Sequence, residues 1–152
     1  MDLDETRVQL KILLDLLYKK KSILEQILTI TENQFLIIHS DEKNMDFLDE
    51  MVKEKSHLID KVNEIDEHFL NLYNKISFQI KKNADLYKDI IKKLQERIKD
   101  ISDTDAKIKI QEEKNRQELL ININSKNRKR GLFKPKKEII DAYKKYGLKK
   151  DH

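Results

Sequence analysis

Residues 51–76, MVKEKSHLIDKVNEIDEHFLNLYNKI, set Met51, Lys55, Leu58, Val62, Ile65, Phe69, Leu72 and Ile76 at alternating spacings of four and three. That alternation keeps one face of an α-helix turned toward a partner over more than three heptads, the pattern of a coiled-coil seam. Lys55 is the single polar residue on the seam. A lysine there must be paired, or must carry its ammonium to the rim along its own aliphatic stem. The nearest acidic candidate on the expected partner helix is Glu32, so Glu32 and Lys55 are expected to form a structural pair in or beside the seam.

On the amino-terminal side, Leu10, Leu14, Leu17, Leu24, Leu28, Phe35 and Ile38 fall on two adjacent heptad rows, with Leu13 and Ile27 beside them and no Gly or Pro between. One helix from about Leu3 to about Ile38 is expected, on the order of 55 Å long at the α-helical rise. The polar cluster His39-Ser40-Asp41-Glu42-Lys43-Asn44 then reads as a tight turn in which Ser40, Asp41 or Asn44 caps the next helix. On the carboxy-terminal side the seam weakens around Gln79 to Asn83. Either Asn83-Ala84-Asp85 caps a third helix or the second runs on; the spacing leaves both open. Leu86, Ile90, Leu94, Ile98 and Ile101 resume a stripe. Ser102-Asp103-Thr104-Asp105 then reads as a Ser-x-x-Asp cap opening a more polar helix with Ile108, Leu119, Leu120 and Ile123 on its apolar side. From Asn124 the composition shifts. Residues 125–131 carry no apolar side chain and read as a linker, followed by a short helix between Pro135 and Gly147 with Ile139, Ile140, Tyr143 and Tyr146 on one face.

Only two Gly and one Pro in 152 residues leave too few turn formers for a sheet protein of this size. The expected fold is all-α: an elongated, coiled-coil-like antiparallel helical hairpin with one or two further packing helices and a basic C-terminal tail. Two regions follow, a helical domain over 1–123 and a tail over 124–152. Of 32 basic and 28 acidic residues, 11 and 3 lie from Asn124 onward, so the body is mildly acidic and the tail strongly basic. There is no cysteine, which excludes disulfides and thiolate chemistry. The amino end, Met1-Asp2-Leu3-Asp4-Glu5, is acidic where a secretory signal is positive, and no run reaches the roughly 18 apolar residues of a membrane span. A cytoplasmic location is expected.

No catalytic constellation emerges. Glu54-x-x-His57 occurs once, whereas helical di-metal sites use that element twice with further glutamates opposite. His57, Asp60, Glu64 and His68 share a helical side and read as a solvated charged face rather than a metal site. With two glycines no phosphate-cradling loop can be written. The chain is therefore expected not to be an enzyme and to use no cofactor and no metal. Arg128-Lys129-Arg130 followed by Lys134, Lys136 and Lys137 forms a basic patch, but Leu132-Phe133 supplies the only aromatic interleaving, which argues against nucleic acid as the partner. A nucleic-acid-binding helical protein using this tail, or a structural coiled-coil oligomer, remains the alternative class.

The central stretch resembles the FlgN-type flagellar export chaperones. The residues that carry the likeness are Leu24, Leu28, Glu32, Asp41, Leu48, Met51, Val52, Glu54, Lys55, Leu58 and Ile59, together with the later segment Asn115-Arg116-Gln117-Glu118-Leu119-Leu120. The likeness spans roughly residues 10 to 123, and the later segment shows one of the two asparagines often found there. The resemblance implies a bacterial cytoplasmic chaperone that binds the C-terminal amphipathic helices of hook-associated (hook–filament junction) proteins and delivers them to the flagellar type III export gate. Filament-cap protein and flagellin are the alternative clients. It also draws Asn115 into the expected client-binding set. Leu119, Leu120 and Ile123, with Ile139, Ile140, Tyr143 and Tyr146 as a second face, join it because the long hairpin does not need them for its own seam.

Overall fold

A computed structural model of the chain describes residues 2–40 and 45–130, with side-chain surroundings through Asn122. Three helices account for almost all of it: α1 at Leu3–His39, α2 at Met45–Lys82 and α3 at Lys88–Arg130, with a 3₁₀ turn at Ala84–Tyr87 between α2 and α3. No strand occurs among the described residues. The expected turn at 41–44 and the tail from Gly131 onward, including Ile139, Ile140, Tyr143 and Tyr146, lie outside the described residues.

Local chemistry sets the helix ends. The Asp2 carboxylate accepts the Glu5 amide at 2.7 Å, three residues in, and Asp4 and Glu5 place negative charge on the positive end of the α1 dipole. α2 stops at Lys82, where the Gln79 carbonyl accepts both the Asn83 backbone amide at 3.0 Å and the Asn83 side-chain amide at 3.2 Å. The sequence left the continuity of the second and third helices undecided; the structure separates them. The 3₁₀ turn winds at about 3.0 residues per turn and so shifts the phase of the apolar stripe. Tyr87 is buried in consequence, while Leu86, which the periodicity assigned to the core, is exposed, as is Ile98.

α3 corrects a second expectation. Ser102-Asp103-Thr104-Asp105 caps nothing: α3 passes through it unbroken, and the Thr104 hydroxyl donates to the Asp100 carbonyl at 3.1 Å, one turn back. Such back-bonding satisfies a threonine inside a helix as well as at its cap. The helical backbone also continues through 124–130, past the boundary expected at residue 124.

Packing resolves into two compact units that cut across the helices, one of Met1–Glu25 with Ile59–Thr104, the other of Gln26–Leu58 with Asp105–His152. In the first, Arg7 reaches Asp89 and Lys21 reaches Asp100, so α1 and α3 run parallel. Arg7 holds the inter-helix turn, donating to the Leu86 carbonyl at 2.6 Å with its guanidinium 5.5 Å from the Tyr87 ring centroid, while the Tyr87 hydroxyl donates to the Leu3 carbonyl at 3.2 Å. In the second unit, Thr31 meets Asn115 and Ile38 meets Asn122, again parallel. There Gln34 meets Lys55, whereas Ile38, farther along α1, clusters with Leu48, earlier on α2, so α2 is antiparallel to α1. The apolar centre of this unit is Ile38, Leu48, Val52 and Leu119, with Ile37 and Met45 packed against it.

Candidate functional site

The α2 seam is buried as its spacing requires, with Met51, Leu58, Val62, Leu72 and Ile76 inside and Ile65 and Phe69 half-buried. Lys55 is inside too, only 5% exposed. Its ammonium forms an ion pair with the Glu112 carboxylate of α3 and donates to the Gln34 side-chain oxygen of α1 at 2.6 Å and to the Thr31 hydroxyl at 3.5 Å. The acidic partner is therefore not Glu32, which stays exposed on α1. Glu32 and Thr31 are adjacent on a helix and point about 100° apart, and it is the Thr31 row that faces the interior. Burial holds the Lys55 ammonium below its usual range, and the charge and hydrogen bond of Glu112 partly offset that effect.

The cluster extends along α3. The Thr31 hydroxyl donates its one proton to its own helix at the Ile27 carbonyl at 2.6 Å and lies 3.3 Å from a Glu112 carboxylate oxygen. Asn115 donates to the Thr31 carbonyl at 2.8 Å and accepts from Gln111 at 3.0 Å. Seven residues on, Asn122 donates to the Ile38 carbonyl at 2.9 Å, and Ile38 lies seven residues beyond Thr31. The two asparagines thus grip parallel helix α1 at a one-heptad interval. Ile38 belongs to the last turn of α1, so Asn122 bonds α1 near its C-terminal end. Two buried atoms have no partner among the described residues, Gln34 Nε2 and Glu112 Oε2. Each leaves a desolvation cost of about 1–3 kcal/mol unanswered. Among the described residues, late α3 is consequently docked by directional polar bonds around two buried large apolar residues, Ile108 and Leu119.

Glu112 and Asn122 were not singled out by the sequence reading, although a signal existed: positions 108, 112, 115, 119 and 122 repeat the four-and-three spacing with polar residues at three of the five. Of the expected client-binding residues, the structure brings Asn115 and Leu119 together inside the second unit, fully or almost fully buried, so neither offers a surface in this state. Leu120 is 40% exposed, with Ile121 exposed beside it. Ile123 lies where no side chain is described. On the outer side, Arg116 donates to Glu113 at 2.6 and 3.0 Å and holds that carboxyl below its usual range. His57, Asp60, Glu64 and His68 are all exposed along α2, and among the described residues no group of three or more His, Asp or Glu is arranged to hold a metal. Nor is any described helix long and apolar enough to cross a membrane.

Three helices with parallel first and third members define an all-helical bundle protein. A family model described as FlgN protein matches residues 1–150, and the chain belongs to the FlgN family, a family of flagellar export chaperones. No curated protein and no solved structure matches the chain.

Proposed function

We propose that the chain binds the C-terminal amphipathic helices of hook–filament junction proteins in the cytoplasm and delivers them to the flagellar export gate. The FlgN match over residues 1–150 carries this reading. The exposed pair Leu120 and Ile121 supports it, because two large aliphatics at one exposed site of a polar helix supply an anchor of the kind an amphipathic client helix reads at i, i+3 or i+4 and i+7. Ile123 belongs with Leu120 to the late-helix client face, and the apolar tail positions Ile139, Ile140, Tyr143 and Tyr146 contribute a second one. Holding a sticky segment requires no bond-making chemistry, nucleotide or metal. The function is that of a binding protein.

The test is fluorescence anisotropy with a labelled peptide of the junction protein's C-terminal segment. Saturable binding to the full chain is expected, weakened severalfold by Leu120→Asp with helical content unchanged. Absence of binding to the full chain refutes the proposal.

A further inference from the structure

The cradle formed by α1 and α2 in the second unit is filled in this structure by late α3, and α3 fits it imperfectly. Its Glu112 answers Lys55 with one carboxylate oxygen and leaves the other unmatched. The amide nitrogen of Gln34, whose oxygen already binds the same ammonium, is left unmatched as well. A carboxylate placed to meet Lys55 with one oxygen and Gln34 Nε2 with the other would satisfy both. Beside this polar point the cradle offers Ile38, Leu48 and Val52, now covered by Leu119. The cavity left by α3 therefore has a defined complement: an amphipathic helix with aliphatic anchors and one Asp or Glu among them.

We propose that residues 105–122 of α3 are a displaceable occupant of this cradle, and that a client helix carrying an acidic residue on its apolar stripe takes their place, its carboxylate on Lys55. This rests on the chaperone reading above and deepens it by naming the seat and the recognised chemistry. Displacement also accounts for two buried members of the client-binding set: Asn115 and Leu119 are released together, because both face the same cradle. The asparagine grips at Thr31 and Ile38 are the latch. Each is a directional bond that contributes only while α3 is seated.

The chain has no cysteine, so paired substitutions give a clean covalent lock. His39 and Glu118 touch across α1 and α3 at the exposed rim of the second unit, 2.7 Å apart. His39→Cys with Glu118→Cys, bridged by a short thiol-reactive crosslinker, holds late α3 in place. The same bridge between Lys21→Cys and Asp100→Cys in the first unit is the control, its native side chains 3.8 Å apart. Binding of the junction-protein peptide is measured before and after bridging. Expected is a loss of about tenfold or more on locking the second unit, since the competent fraction falls, and little change for the control. Asn122→Ala opens the latch without touching the cradle lining, and tighter binding on the order of fivefold is expected, the shift that one lost buried hydrogen bond permits. If the unbridged protein binds the peptide and the locked protein binds it equally well, displacement is overturned while the chaperone function stands. If neither binds, the chaperone reading itself has failed. Unchanged affinity of Asn122→Ala likewise counts against the latch.

Discussion

Replacing Glu112 by Ala removes the carboxylate from an ammonium that is only 5% exposed. Breaking a buried ion pair from one side costs about 3–5 kcal/mol, because the remaining charge stays desolvated. Two features of this site reduce the figure. Gln34 still accepts a hydrogen bond from Lys55, and the unmatched Glu112 Oε2 disappears with the side chain, recovering about 1–3 kcal/mol. A net loss of roughly 2 kcal/mol follows from the midpoints of these two ranges. Replacing both partners, Lys55→Met with Glu112→Leu, deletes the charges and their desolvation together, and such exchanges run from neutral to about 4 kcal/mol stabilising. Urea denaturation followed by far-ultraviolet circular dichroism reads both values, provided the m-value is unchanged. A Glu112→Ala loss below about 0.5 kcal/mol, within the range of an ordinary surface substitution, would refute the reasoning: Lys55 would then be reaching solvent and the polar layer would not be a buried one.

Further outcomes follow from the same geometry. Burial sets the Lys55 pKa below its usual 10.5, so in the alkaline window just beneath that value the unfolded chain binds more protons than the folded one, and stability rises with pH there. The stability difference between wild type and the Lys55→Met/Glu112→Leu double variant should therefore shift in favour of wild type as pH climbs toward 10.5; a shift the other way contradicts a buried Lys55. Leu119→Ala, deep in the apolar cluster with Ile38, Leu48 and Val52, should cost about 2–5 kcal/mol in the same denaturation assay. Leu120→Ala should cost less than about 1 kcal/mol yet weaken peptide binding, which separates core from surface at adjacent positions. Ending the chain after Arg130 should weaken peptide binding in the anisotropy assay, because the apolar positions Ile139, Ile140, Tyr143 and Tyr146 are lost.

How far the sequence could be read depended on which physical rule governed each segment. The α2 seam was legible because an unbroken four-and-three spacing admits one burial pattern, whereas in α1 the two adjacent rows left the phase open: Leu10, Leu17, Leu24 and Ile38 are buried with Leu13 and Ile27, but Leu14, Leu28 and Phe35 are half-buried and Thr31 and Gln34 take the interior positions. Lys55 stood out on that seam for the same reason. Its partner did not: a charged seam residue demands a counter-ion, but which helix supplies it depends on how the third helix packs, and Glu112 lies 57 positions away. Ser102–Asp105 misled because hydroxyl and carboxylate side chains look alike at a cap and within a helix, where Thr104 simply bonds one turn back. Leu86 was misassigned because a short 3₁₀ turn resets the helical phase, which periodicity alone does not register. Asn115 came from family likeness as a binding residue, while the structure gives it a grip on the Thr31 carbonyl. Exposure of Leu120 against burial of Leu119 needed the third helix in place to appear at all.

The most direct measurement is a side-by-side calorimetric titration of the full chain against purified hook–filament junction protein, the same protein lacking its C-terminal segment, filament-cap protein and flagellin. Saturable one-to-one binding to the intact junction protein, lost with its C-terminal segment and absent for the other two, is expected. Binding to cap protein or flagellin with none to the junction protein would contradict the assignment of the client.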